Sequence, residues 1–307
     1  MRRRVVLDCD PGHDDAMAIL LAAASPALDL VAMTTVAGNQ TLDKVTLNAR
    51  RVCSVAGITD VPIAAGCDRP MRREQVVAGD IHGASGLDGV EWDEPTVALD
   101  PRHGVDVIIE AAEAGPLTLI AVGPLTNVAT ALERAPHIAM NLERISIMGG
   151  AVGLGNRTPS AEFNIYVDPE AADAVFASGI PITLVPLEVT HLARATDEVM
   201  GRIDSLGTPV ANMSVALMRF FAETYERVFG FDAPAVHDPC AVAAVIQPSM
   251  LDTRHVNVAI DTSSGISAGR TACDIHGVSG AAPNADVALD LDVPAFWDLM
   301  VGALATY

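Results

Sequence analysis

The chain has 307 residues, half of them hydrophobic and only 19% charged, with a mean hydropathy of +0.33; that composition supports a sizeable core and excludes a disordered or fibrous polypeptide. Its 39 acidic residues outnumber 19 basic ones for a formal net charge of −20, which speaks against partners held through their phosphates, nucleic acid and anionic membranes alike. Lys44 is the only lysine, which removes most chemistry needing a Schiff-base amine or a Walker lysine, and no GxxxxGKS or GxxxxGKT run is present.

In chain order, the first half repeats a short apolar, β-branched run, a turn carrying glycine or an acid, and an Ala/Leu-rich helical stretch. This is the pattern of βαβ units. A strand is expected at 4–7, a helix at 14–24, a strand at 28–36, a helix at 42–56 closed by Gly57, and a strand at 61–65. Next come a glycine-bearing loop at 76–95 that reads as a candidate lid, a helix at 105–114, a strand at 117–122, a helix at 127–134 and a strand at 144–148. A helix at 169–178 closed by Gly179, a strand at 180–186 and a longer helix at 210–228 complete this part. Residues 225–236 are a second candidate mobile loop. Beyond His237, an apolar helical run starts at Cys240, strands are expected at 256–261, 270–274 and 287–291, and a closing helix at 294–305. The strand runs are almost wholly apolar rather than alternating, as parallel strands buried on both faces are. With no Pro/Gly/Ser-rich linker and no internal repeat, residues 1–307 read as one α/β domain, an open, mostly parallel central sheet flanked by helices, with a Rossmann-like core.

Five cysteines, Cys9, Cys53, Cys67, Cys240 and Cys273, are odd in number, far apart and lack a C-x-x-C pair. They indicate neither a disulfide framework nor a zinc cage, and a reducing cytoplasm is the default expectation. No run of eighteen uncharged apolar residues is present to span a membrane, and the basic start at Arg2-Arg3-Arg4 is followed by too short an apolar run for a signal peptide.

Ligands of open parallel sheets bind at the carboxyl ends of the strands, and the first such turn, Asp8-Cys9-Asp10-Pro11-Gly12-His13-Asp14-Asp15, holds four carboxylates within eight residues. Acids at a helix start gain roughly 0.3–1 kcal/mol each from the helix dipole, and Asp14 suits an N-cap. That explains two of the four. Asp8 and Asp10, two apart and on one face of a strand end, must share protons or surround a cation. All-oxygen donors point to Ca²⁺ or Mg²⁺ rather than zinc. The later turns carry Asn39, Thr126, Asn127, Asn156, Glu162 and Asn164, amides and acids suited to a ligand rich in hydroxyls. In His237-Asp238-Pro239, Asp238 reads as an N-cap with Pro239 at N1 that also reaches the metal, beside His237 as a proton donor tunable near neutral pH. His82 is a further candidate. The other histidines, at 13, 103, 137, 191, 255 and 276, read as surface or structural.

The block Asp8 to Ala16 resembles the signature of the inosine-uridine-preferring nucleoside hydrolases. Val36-Ala37-Gly38-Asn39-Gln40-Thr41, Ile81-His82-Gly83, Gly123-Pro124-Leu125-Thr126-Asn127, Met148-Gly149-Gly150, Ala161-Glu162-Phe163-Asn164 and His237-Asp238-Pro239-Cys240 are similar to the family's other blocks, in order. The resemblance implies the nucleoside hydrolase fold, a homodimer or homotetramer, and Ca²⁺-dependent cleavage of the N-glycosidic bond of ribonucleosides of the inosine, uridine and cytidine class to ribose and free base, in salvage or catabolism. By the same resemblance Ca²⁺ is held by Asp10, Asp15, the main-chain carbonyl of Thr126 and Asp238, and Asp10 is the general base. Asp14, Asn39, Asn156, Glu162 and Asn164 hold the ribose, His237 stands by the leaving base, and His82, Tyr225 and Phe229 line the base pocket. Phe229 stands where the family's purine-handling members carry an arginine, with Arg227 on another face of the helix, and Gly12-His13 resembles the pyrimidine-preferring branch. Two alternatives are a phosphohydrolase of the haloacid-dehalogenase type, disfavoured by Pro11 and the lone lysine, and a non-catalytic nucleoside-binding protein.

Overall fold

In the computed structural model, which describes residues 2–307, the apolar runs become strands β1 (Arg3–Cys9), β2 (Leu28–Thr35), β3 (Ile63–Ala65), β4 (Leu117–Ala121), β5 (Leu142–Met148), β6 (Ile182–Val185), β7 (Leu251–Val256), β8 (Val258–Ile260), β9 (Thr271–Cys273) and β10 (Ala285–Leu291). Eight of them form one sheet in the order β3-β2-β1-β4-β5-β6-β10-β7. All its pairings are parallel except that of β10 with β7. Strands β8 and β9 make a separate antiparallel pair.

The helices are α1 (His13–Ala24), α2 (Leu42–Ala56), α3 (Gly79–His82), α4 (Gly104–Glu113), α5 (Thr126–Arg134), α6 (Phe163–Val167), α7 (Pro169–Phe176), α8 (Leu187–Thr190), α9 (Asp197–Asp204), α10 (Pro209–Phe229), α11 (Asp238–Ile246) and α12 (Val293–Leu304). Successive strand residues point to opposite faces, and the two faces have separate cores. Val5, Leu7 and Cys9 of β1 pack with α1, α10, α11 and α12, whereas Val6 packs with the side chains of α4, α5 and α7. Covering both faces is what allows β1, β4 and β6 to be apolar nearly throughout. The result is a single α/β domain, as the sequence pattern implies.

Several boundaries differ from the sequence expectations. The strand expected at 256–261 is two elements: Val256 ends β7, and β8 leaves the main sheet to pair with β9. Strand β7 escaped notice because it is an edge strand whose middle, Asp252-Thr253-Arg254-His255, is polar and exposed, as edge strands commonly are. The segment 76–95 contains α3, and residues 225–229 are the last turn of α10, so the expected loop there begins only at Gly230. Among the described residues no helix is long and apolar enough to cross a membrane, and all five cysteines are free.

Strand β1 lies between β2 and β4. The chain leaves β1 toward one edge of the sheet and returns to build toward the other, and a crevice opens at the carboxyl ends where those directions diverge.

Candidate active site

Asp8 is still within β1, buried near its carboxyl end. Its Oδ1 accepts from Thr34 Oγ1 (2.6 Å) and Asn127 Nδ2 (2.7 Å), its Oδ2 has no partner, and burial pushes its pKa up to about 7. Asp10 follows the strand. Its Oδ2 accepts from the main-chain N–H of Asn39 at 2.7 Å, and its buried Oδ1 has no partner. Gly38 and Gly123 wall the carboxylate in: a Cβ on either would collide with it, at 2.6 Å from Oδ1 in the case of Gly123.

Helix α1 starts differently from the expectation. Gly12, not Asp14, occupies the N-cap position, and Asp15 in the first turn folds back over the preceding loop. Asp15 Oδ1 accepts from Asp10 N (3.0 Å), and Oδ2 from Gly12 N (2.9 Å) and Asn39 Nδ2 (3.2 Å). Asp14 is thereby free to turn toward α11, where its Oδ2 accepts from the main-chain N–H of His237 at 3.3 Å. Asp238 is not an N-cap either. His237 holds that position, so Asp238 and Pro239 fill the first helical turn. Asp14, Asp15 and Asp238 each offer a carboxylate oxygen within 4.8 Å of one another. Burial and mutual repulsion push Asp10, Asp14 and Asp238 upward, Asp14 to about 7, and burial raises Asp15 as well.

Asp14 and Asp238 line a cleft together with Asn39, His82, Asn156, Glu162, Asn164, Tyr225, Phe229 and His237, whereas Asp10, Asp15 and Thr126 are buried and do not line it. Glu162 caps α6: Oε1 accepts from Asn164 N (2.9 Å), and Oε2 from Gly150 N (2.9 Å) and Ile165 N (3.2 Å). Burial lifts it to about 7. Asn164 donates its amide N–H groups to the carbonyls of Val122 (2.8 Å) and Met148 (3.2 Å) at the ends of β4 and β5, which leaves its oxygen for the cleft. Asn156 Oδ1 accepts from Phe163 N at 2.9 Å, which leaves its NH₂. The Thr126 side chain turns to Asp168, whose Oδ2 it meets at 2.7 Å. Asp168 also accepts from Met71 N and Ala171 N and so ties α5 to α7.

The other end of the cleft is aromatic. Tyr225 OH and His237 Nε2 are hydrogen-bonded, and His237 Nδ1 is 2.7 Å from Thr190 Oγ1. Burial, aided by His191, pushes His237 down to about 3. Phe229 lies 5.0 Å from Tyr225, centroid to centroid, and Arg227 reaches away to the carbonyl of Asp80 at 3.3 Å. Sequence reasoning missed Phe221 and Val228, which also line the cleft. The i, i+4, i+8 stripe Phe221, Tyr225, Phe229 on α10 was the available signal. His13, read from the sequence as surface or structural, is a fully buried ring stacked on Phe220, Phe221 and His82.

A family model described as inosine-uridine preferring nucleoside hydrolase matches residues 5–298. The curated pyrimidine-specific ribonucleoside hydrolase RihA of Shewanella woodyi is 44% identical over 312 residues, covering 100% of this chain and 99% of its own. The protein of the same description from Escherichia coli O8 is 44% identical over 306 residues, covering 99% and 98%. Among solved structures, the purine-preferring ribonucleoside hydrolase from Gardnerella vaginalis superposes with a TM-score of 0.93 at 30% identity, covering 99% of this chain and 98% of that one.

Proposed function

The chain belongs to the inosine-uridine preferring nucleoside hydrolases, which makes it a glycosidase, and on that premise we propose that it is a calcium-dependent, pyrimidine-specific ribonucleoside hydrolase releasing ribose and free base. The observation that carries this reading is the buried, unpartnered Oδ1 of Asp10 beneath a cleft that is acidic and amide-rich at one end and aromatic at the other.

The residues fit a hard cation. Buried carboxylates that raise one another's pKa call for a positive charge, and the donors are all oxygens. Asp10, Asp15, Asp238 and the main-chain carbonyl of Thr126 would hold Ca²⁺. When bound, the ion supplies a Lewis acid that acidifies water and polarises hydroxyls. Asp10, oriented through the Asn39 N–H, takes the proton of the attacking water at its free Oδ1. Asp14, Asn39, Asn156, Glu162 and Asn164 hold the ribose hydroxyls, and the acids among them favour the positive charge that develops on the sugar ring. With water rather than a carboxylate as the nucleophile, the anomeric carbon inverts. His237 stands by the departing base, with its Nε2 bonded to Tyr225 OH and its Nδ1 to Thr190 Oγ1.

The pyrimidine preference is supported by the printed specificity of the relatives at 44% identity and by the aromatic wall, where α10 presents Phe229 and sends Arg227 elsewhere. We place the enzyme in nucleoside salvage or catabolism in the cytoplasm, as a homo-oligomer. The test is a panel of kcat/KM values for uridine, cytidine, inosine, adenosine and guanosine, with and without chelator. Uridine and cytidine should exceed the purines by about 100-fold or more, with activity lost to chelator and restored by Ca²⁺. Inosine hydrolysed as well as uridine would return the specificity to the broader inosine, uridine and cytidine class, and no ribose release from any nucleoside would defeat the reading. Asp10→Asn should lower kcat by about 10²–10⁴-fold.

A further inference from the structure

A main-chain carbonyl has no side-chain torsions with which to seek an ion, so the placing of the Thr126 carbonyl falls to whatever fixes the chain on either side of it. Thr126 and Asn127 open α5. Both are buried, and neither lines the cleft. Each side chain is committed to partners from another part of the fold. Thr126 faces α7, where its Oγ1 donates to Asp168 Oδ2 at 2.7 Å. The same carboxylate oxygen accepts from the main-chain N–H of Met71 at 2.9 Å. Asp168 is also the N-cap of α7, but that task uses its other oxygen, Oδ1, which accepts from Ala171 N at 3.1 Å. Capping therefore accounts for one oxygen and leaves the second, fully buried, as a fixed acceptor for Thr126.

Asn127 faces the sheet. Its Nδ2 donates to Asp8 Oδ1 at 2.7 Å and to the carbonyl of Thr35 at 3.0 Å, and its Oδ1 accepts from Cys67 N at 2.7 Å. Both amide hydrogens and the oxygen are thus in use. They join the first turn of α5 to the carboxyl ends of β1 and β2 and to the chain leaving β3. Room for this amide is made by Gly66, where a Cβ would lie 2.2 Å from Asn127 Oδ1, although Gly66 has no positive φ of its own to require glycine.

We propose that Asp168 and Asn127 are positioning residues for the cation: from opposite sides they clamp the first turn of α5 and hold the Thr126 carbonyl in place against the end of β1. This rests on the calcium reading given above. The Thr126 hydroxyl is the handle for one clamp, and the amide of the next residue is the other, so two adjacent side chains that touch neither ion nor substrate set the geometry of one ligand. Groups that orient a metal ligand in this way change affinity by about 10- to 100-fold when removed.

Calcium titration calorimetry on the full chain, with Tm measured in chelator alongside, tests this. Thr126→Val removes the hydroxyl at nearly constant shape and Asn127→Ala removes the amide; neither changes a charge or the lining of the cleft. Each should raise the calcium Kd about 10- to 100-fold, while Thr126→Ser, which keeps the hydroxyl, should stay within about 3-fold of wild type. Tyr307→Phe, which loses a hydrogen bond to the Leu20 carbonyl at 2.7 Å, controls for lost stability and should bind calcium as wild type does. Clamp variants that melt lower yet keep the wild-type Kd would overturn the proposal. So would a Tyr307→Phe whose Kd rises as much, or a Thr126→Ser that binds no better than Thr126→Val. Should Asn127→Ala fold poorly, the two Thr126 variants decide the matter. A wild-type chain that binds no calcium overturns the proposal together with the calcium reading, whereas one that binds calcium and cleaves no nucleoside overturns the proposed activity only.

Discussion

Asp10 occupies a space that its neighbours define by lacking side chains. Gly123 has ordinary backbone dihedrals and is needed only because a Cβ would lie 2.6 Å from Asp10 Oδ1 and 3.0 Å from Val36 Cγ1. Gly123→Ala should therefore displace the carboxylate. We expect calcium affinity, measured by titration calorimetry, and kcat/KM each to fall by about 100-fold, while stability drops by only about 1–3 kcal/mol. Gly57 is the contrast, with open space around it and φ of +67° at the end of α2. Gly57→Ala should cost about 1 kcal/mol in a denaturation curve and leave catalysis intact. In the sequence both are simply turn glycines. Gly57 was legible because a helix end explains it locally, whereas the demand on Gly123 comes from a side chain more than a hundred positions earlier. The same applies to His13, whose surroundings come from α10 and the loop 76–95 and leave no local trace.

Among the elements, the parallel strands were legible because burial on both faces makes them uniformly apolar, and β7 was not because exposure at the edge makes it polar. The caps of α1 and α11 were misread for a related reason. Asp14 and Asp238 have the composition of N-caps, but tertiary contacts engage them and leave the N-cap positions to Gly12 and His237. Helix α10 shows what an element does that its residues alone do not. By continuing to Phe229 before Gly230 ends it, it carries Phe221, Tyr225 and Phe229 along one side of the cleft on rigid backbone. Tyr225→Phe keeps this packing and removes only the hydroxyl next to His237 Nε2. Its expected effect is a roughly 10-fold fall in kcat for uridine, with Tm within a few degrees of wild type. A larger effect on KM than on kcat would assign Tyr225 to binding instead.

For the whole molecule, the site sets the pH dependence of stability. Asp8, Asp14 and Glu162 are raised to about 7, and Asp10, Asp15 and Asp238 are raised too. Between the ordinary carboxyl range near 4 and about 7 the folded protein binds protons that the unfolded chain has released, so this stability is present at low pH and lost as pH rises toward 7. The buried histidines act in the opposite sense. His13, near 4, and His237, near 3, lose stability as pH falls below 6.5. The raised carboxyls are the larger group. In chelator, Tm should therefore fall from pH 5.5 to pH 8, and saturating Ca²⁺ should abolish or reverse that fall by binding the ionised carboxylates. A chelated protein that melts higher at pH 8 than at pH 5.5 would contradict this assignment of charge.

The distribution of the acidic cluster along the chain also bears on synthesis. Asp14 and Asp15 belong to the first helix, whereas Asp238, the third member of their group, follows more than two hundred residues later. At about 5–20 residues per second, a ribosome leaves the early acids without that partner for roughly 10 to 50 seconds. Through this interval β10, which seats between β6 and β7, is also still missing. A nascent chain can thus pair β1 with β2 and β4 well before this acidic group is complete, and a cation that needs Asp238 would be captured at the close of biogenesis rather than at its start.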